Sequence, residues 1–369
     1  MPILRAMPAV LEAVGDLPGP VQAAMIPLFE LQPPDLDPVT QQPRQTVDRV
    51  LAMREPQIAR AWRDATPPRL DLGLLDSPGR TAGPTHELTT VLDAARQRGR
   101  SLVPVTAPGR SPAYEAAVRQ AIQQDGLGVC FRVPIGVFAD PARAAQLLVA
   151  ECQRYGLRAA DADLVVDARS IRRNLLSSTQ AQRWVAALAA VPTPNDWRTL
   201  VIAGTAKPAG ISAVRELQLT GNARIATARL ARTEWAAWLG VRAAYARAAA
   251  APRMPWFGDY ALGHPDYRPF DARVIRSVAQ IWYAVGGTWL VYRGQQVNDV
   301  GVGQFRRMAA DLLALSEFRG ATFSEGDLYI SDVATRVRAP GQAGEWRRAG
   351  TSHHLTETVD QLATLPPGP

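Results

Sequence analysis

A chain of 369 residues with 47% hydrophobic and 20% charged residues has the composition of a folded protein with a large core, which excludes a disordered one. Two cysteines far apart in sequence, Cys130 and Cys152, exclude a disulfide framework and a cysteine-built zinc site, and buried free thiols are expected. The formal charge of +7 is almost all arginine, Lys207 being the sole lysine; it fits an anion-binding surface or the drift of an Ala-, Arg- and Pro-rich composition, and without a dense basic run the second is the default.

Arg5 breaks the opening apolar run and no signal-peptide core follows. No apolar stretch approaches about 18 residues, so a soluble, cytoplasmic protein away from the membrane is expected.

The elements alternate from the start. Met1–Arg5 reads as a strand, Pro8–Leu17 as a short helix and Met25–Leu31 as a second strand. Gln45–Asp64 has apolar residues at helical spacing. Arg69–Leu75 is a third strand, followed by a helix over Thr85–Gln97 with Thr85 as its cap. Ser101–Thr106, Gly128–Pro134, Ala162–Asp167 and Arg198–Ala203 read as four more strands. Ser111-Pro112 and Asp140-Pro141 place a cap and a first-turn proline in helix-starting order, and Thr179–Val191 is a further helix.

The strands are continuous apolar runs, as in sheets covered on both faces. Strand–helix alternation at roughly 25–40-residue spacing implies right-handed crossovers and parallel pairing. With an eighth strand near Ala223–Ala228 or Pro255–Tyr260, the expected fold is α/β, a (β/α)8 TIM-barrel-like core over residues 1–265. The alternative is a doubly wound open parallel sheet, disfavoured by the lack of a G-x-G-x-x-G after the first strand.

After about residue 265 aromatics cluster, at Tyr267, Phe270, Trp282, Tyr283, Trp289 and Tyr292. Core packing is a commoner use of such residues than base stacking. Two apolar runs flank Gly286-Gly287 as in a hairpin, Val302–Leu315 reads as a helix, Gly326–Val333 as a strand, and a last helix starts near Ser352. Residues 266–364 are therefore expected to form an α+β segment packed on the barrel as part of the same domain.

Polar residues at strand ends converge on one mouth in a parallel barrel. Glu30, Asp71 and Asp167 are the candidate acid/base groups, and Arg5, Arg132 and Arg169 the candidate anion clamps; internal salt bridges would use the same residues. A second set lies C-terminally: Asp259, His264, Arg293, Asp327, Arg347, His353 and His354, with His354 a candidate base. Adjacent histidines diverge on any regular element, and no H-E-x-x-H occurs, so no metal and no cofactor is expected. Nor is there a Walker loop or a nucleophile elbow; Ser324 reads as a turn residue and His86 as a solvated first-turn residue.

The opening PILRAMPAVLEAV and MIPLFEL resemble the start of the phage beta protein family. FGDYALGHPDYRPFDARVIRSVAQIWY, WLVYRG, GQFRRMAADLL, FSEGDLYI and EWRRAGTSHHL resemble its C-terminal part more closely. One departure is Ile281-Trp282-Tyr283, where the family often shows Ile-Arg-Tyr. The resemblance implies a protein of phages, prophages and mobile islands, with a part in toxin control or anti-phage defence, and no agreed reaction. Two readings follow. In one, the barrel mouth binds a phosphorylated or nucleotide-like ligand, Arg5, Arg132 and Arg293 clamp it, and a carboxylate or His353 or His354 acts as base. In the other, the chain is a non-catalytic immunity or regulatory protein that binds a toxin partner or nucleic acid, nucleic acid being the less favoured. Convergence of the charged residues on one site would separate them.

Overall fold

The computed structural model describes residues 1–37, 39–76, 85–171, 176–219, 224–248, 252–266 and 277–366. Strands β1 (Ile3–Arg5), β2 (Leu28–Glu30), β3 (Arg69–Asp71), β4 (Val103–Thr106), β5 (Val129–Pro134), β6 (Ala162–Ser170) and β7 (Thr199–Thr205) pair in sequence order, all parallel. β8 (Ala226–Ala231) leaves this sheet, and β9 (Trp256–Gly258) returns to it beside β7. The circle closes where the Ile3 N–H donates to the Asp259 carbonyl at 2.7 Å, extending the parallel bridge of Pro2 with Asp259. The fold is the expected (β/α)8 barrel, and its eighth strand comes from the Pro255–Tyr260 run.

Helices α1 (Pro8–Asp16), α2 (Gly19–Ala23), α3 (Val47–Ala61), α4 (Glu87–Gln97), α5 (Pro112–Asp125), α6 (Pro141–Tyr155), α7 (Ser177–Ala189) and α8 (Thr233–Ala246) occupy the connections. Ser111 and Asp140 cap α5 and α6 as their sequence order requires, each accepting a backbone N–H three residues on. The cap of α4 is His86, whose ring accepts the Leu88 N–H at 3.1 Å, and not Thr85.

Although each barrel strand is apolar on both faces, its residues alternate. Leu4, Phe29, Leu70, Phe131, Leu164 and Ile202 pack outward under the helices. Ile3, Leu28, Val103, Cys130, Val165 and Val201 fill the barrel interior. Burial raises the Cys130 thiol far above its ordinary range, as expected for an inert structural cysteine. Gly258 belongs to the inner layer: a Cβ there would lie 2.8 Å from that of Ala203. At the N-terminal end of the barrel, Asp163 lies between Arg69 and Arg198, each 2.8 Å away, a plug of the kind that serves stability.

The second sheet joins β10 (Val278–Val285) and β11 (Thr288–Gln296) as the expected hairpin, with β8 against β11, all antiparallel. One face carries Trp282, Trp289 and Val291 toward Ile211, Val214 and Leu217 of the segment after β7. The other packs Ile281, Tyr283 and Tyr292 on the remaining helices. These are α9 (Val297–Val300), α10 (Gln304–Leu313), α11 (Glu325–Ala334) and α12 (Ala343–Thr364). The four described aromatics of the cluster are thus core residues, while Tyr267 and Phe270 lie outside the described residues.

Two expectations need correction. Gly326–Val333 is not a strand but lies within α11: Ser324 caps that helix, accepting the Asp327 N–H at 3.1 Å, and Tyr329, Ile330 and Val333 fall on one buried helical face. The β-prone Leu-Tyr-Ile run masked that period. Gly326 is required because a Cβ would meet the Ala349 carbonyl oxygen of α12 at 2.1 Å. The last helix starts nine residues before Ser352, at Ala343, where the Glu345 carboxylate accepts the Gln342 N–H at 2.9 Å. Among the described residues no helix is long and apolar enough to cross a membrane.

Candidate functional site

Strand register brings the first site residues together. Arg5 on β1, Glu30 on β2 and Asp71 on β3 are Cα partners across neighbouring parallel strands, so their side chains share one inward layer at the C-terminal end. Arg132 on β5 enters the same layer from across the barrel. Its Nη1 donates to Glu30 at 2.9 Å and to Asp71 at 2.8 Å, its Nε to Asp167 at 2.9 Å, and its Nη2 to the Tyr260 hydroxyl at 2.8 Å. Tyr260 in turn donates to Asp167. All five groups are buried. Arg110, in the loop after β4, adds a 3.3 Å contact to Asp71. The main partner of Glu30 and Asp167 is Arg132, a barrel residue.

The strand-end aspartates also build the rim. Asp71 accepts the N–H of Gly73 at 2.7 Å, Asp167 that of Arg169 at 2.8 Å, and Asp259 that of Ala261 at 3.2 Å. Asp71 and Asp259 thus replace missing ladder partners where the chain leaves its strand, and Asp167 does so at a register shift within β6. Arg169 and Ala261 adopt left-handed backbone, with φ of 53° and 46°, a conformation that non-glycine residues hold when their surroundings fix it.

Glu30 differs from the other two carboxylates. Its Oε1 accepts from Arg132, whereas its Oε2 is buried with no hydrogen-bond partner. Burial raises its pKa, against the opposing pull of Arg132. Arg5 approaches that oxygen at 3.7 Å and donates through Nη2 to the His264 carbonyl. His264 is buried, and its Nδ1 accepts the Asp266 N–H at 3.2 Å, which leaves Nε2 to donate to Ser170 at 3.3 Å.

The mouth carries a cation that sequence reasoning left out. Lys207, just past β7, is half-buried with Nζ 4.5 Å from the Trp282 ring centroid. Burial, then the charges of Arg347 and Arg5, bring its pKa down to about 7. A signal was available: it is the sole lysine, and it directly follows the seventh strand run. Arg347 comes from α12, is exposed, and reaches Met7 with Nη1 at 3.4 Å. Among the described residues, neither Lys207 nor Arg347 has a carboxylate partner.

The remaining predicted residues lie apart from this layer. Arg169 is exposed and pairs with Asp266 at 3.2 Å. Arg293, on β11, donates to the Leu217 carbonyl at 3.1 Å. His354 is fully buried, stacked on Trp289, with Nε2 2.6 Å from Asp259. Burial alone would raise Asp259, but His354 and Arg232 outweigh it and hold its pKa at about 2. His353 is equally buried: its Nε2 faces the Ala284 carbonyl at 2.7 Å and its Nδ1 faces Asp327 at 2.9 Å. Tyr283 and Ser324 donate to that same carboxylate. The two histidines thus face different partners, as their adjacency on a helix requires, and among the described residues no metal-ligating cluster occurs.

Chemically, the arrangement offers a buried carboxylate oxygen that accepts no hydrogen bond, with Arg5 3.7 Å away. It is suited to accepting a proton and to holding an anion.

No curated protein matches the sequence. One solved structure is similar, a mandelate racemase/muconate lactonizing protein from Herpetosiphon aurantiacus, at 12% identity and a TM-score of 0.32. The alignment covers 80% of this chain and 63% of that protein, less than two thirds of its length. The family comparison spans nearly everything described above: the beta protein family matches residues 1–360, and the chain belongs to that family.

Proposed function

We propose that the barrel mouth binds a phosphorylated or nucleotide-like anion, and that through this site the protein acts in anti-phage defence or toxin control, as a phage-associated member of its family. The observation that carries the ligand reading is the cation set of Arg5, Lys207 and Arg347, in which Lys207 and Arg347 have no carboxylate partner among the described residues. Like charges brought together repel one another, and an anion beside them relieves that cost. The placement supports the reading as well, since the loops after the seventh and eighth strands of such barrels often hold phosphate. Lys207 follows the seventh strand and His264 the eighth.

In this reading Arg5, Lys207 and Arg347 hold the anion, and Glu30 is the base that faces it. Arg132 positions Glu30, Asp71 and Asp167. His354 supports the rim through Asp259, and His353 and Asp327 hold α11 and α12 together behind it. Calorimetry with inorganic phosphate and a nucleoside monophosphate tests this. Binding should weaken strongly in Arg347→Ala and Lys207→Gln. If both variants bind as the wild type does, the mouth is not an anion site, and the non-catalytic partner-binding reading replaces it.

A further inference from the structure

We propose that a cavity between α3 and α4, at the end of the barrel opposite the mouth, binds a small primary amine in its ammonium form, one with a short apolar body. The site is separate from the mouth and does not depend on the anion reading.

The cavity has a volume of about 190 Å³. A cavity of about 150 Å³ holds benzene, so a single ring with a short arm fits here. Chain order places it. Pro68 directly precedes β3 and Leu102 directly precedes β4, while Ile58, Ala59 and Trp62 come from the end of α3 and Ala95 from the last turn of α4. Trp62 is held in place by its Nε1–H, which donates to the Thr66 carbonyl at 2.7 Å. These side chains make an apolar wall that suits the body of the ligand.

Glu55 on α3 interrupts that wall with a carboxylate. It is 3% exposed, and its Oε1 is buried with no hydrogen-bond partner among the described residues. Its Oε2 lies 3.1 Å from Nη1 of Arg98, an exposed residue, so water screens that pair. A buried acceptor left unmade is costly, and an ammonium group brings three donors and a positive charge. The helices point to the same charge. α3 and α4 both end at the cavity, and the C-terminal end of a helix carries about half a negative charge. Asp64 adds a carboxylate to the lining, opposed by the exposed Arg100. Burial raises the Glu55 carboxyl and Arg98 opposes that shift; an ammonium group on Oε1 favours the charged form further. A divalent metal ion fits less well, because it needs several oxygen ligands and this wall is mostly apolar.

Calorimetry on the full-length protein tests this with benzylamine, protonated at neutral pH, and with benzyl alcohol as its neutral isostere. Benzylamine should bind roughly tenfold tighter than the alcohol, because its hydrogen bond to Glu55 is charge-assisted. In Glu55→Gln that preference should vanish while the alcohol binds as before. Ala59→Leu fills the cavity from the half-buried wall of α3, and both ligands should then bind much more weakly; this variant decides the matter if Glu55→Gln misfolds. Equal binding of the two ligands by the wild type overturns the proposal, since the site then does not select a cation. Unchanged binding of benzylamine in Ala59→Leu overturns it as well, by placing the amine elsewhere, as does no binding by the wild type at millimolar concentration.

Discussion

The Arg132 guanidinium donates to the Glu30 carboxylate at 2.9 Å across 102 residues of sequence, joining the fifth strand of the barrel to the second. The same guanidinium serves Asp71 and Asp167, so one cation links a buried layer of three carboxylates, to which Arg5 and Arg110 add further charge. Such a layer is costly to break, because removing one partner leaves the others buried and uncompensated.

Arg132→Ala should therefore destabilise the protein by about 3–5 kcal/mol. Chemical denaturation would measure this. A loss well under that range would mean that water enters the mouth and replaces the guanidinium.

Glu30→Gln should behave differently. The amide oxygen can still accept from Arg132, and Oε2 has no hydrogen bond to lose, so stability should stay within about 1 kcal/mol of wild type. Biological activity should be abolished if Glu30 is the base. Phosphate should bind roughly threefold tighter or more, since a negative charge beside Arg5 is gone. Arg293→Ala, remote from this layer, should leave phosphate affinity unchanged by calorimetry.

Asp259 makes acid stability depend on His354. The folded carboxyl titrates at about 2 against an ordinary 3.8, so the folded state binds fewer protons between those values. This contribution is complete above pH 3.8 and is lost as pH falls toward 2. His354→Ala should remove that part of the slope in thermal melts across the range. It should also cost about 3 kcal/mol at neutral pH, where Asp259 would remain buried with the Arg232 charge 3.9 Å away and the Ala261 N–H. An unchanged acid slope would show that another group carries it.

We also propose that residues 1–265 and 266–364 form one cooperative unit. α12 packs on α1 of the barrel and on β10 of the second sheet, and Arg232 reaches Gly286 and Gln361 at 2.9 and 3.0 Å. A Cβ at Gly350 would lie 2.7 Å from Leu262, so helix and rim are in close contact. A chain ending at residue 265 should fail to give a cooperative melt, and the full chain should unfold in one calorimetric transition. Two separated transitions would divide it.

The sequence by itself determined the barrel, because each strand is an apolar run ended by turn chemistry and several crossover helices carry their own caps. Ser111 and Asp140 mark helix starts with no help from the rest of the chain. It also marked Glu30, Asp71, Arg132 and Asp167, since strand-end position is a local property. The partners were decided by the tertiary structure. Arg132 meets Glu30, Asp71 and Asp167 because closure of the sheet sets distant strands face to face, and no local pattern records that closure. Arg293 was grouped with the site by its motif, yet its strand belongs to the other sheet. α11 was read as a strand because its buried face is fixed by contact with α12 and not by its own short apolar run. Lys207 stands out in the sequence as the sole lysine, but its surroundings of Trp282, Arg5 and Arg347 are brought to it by three other elements.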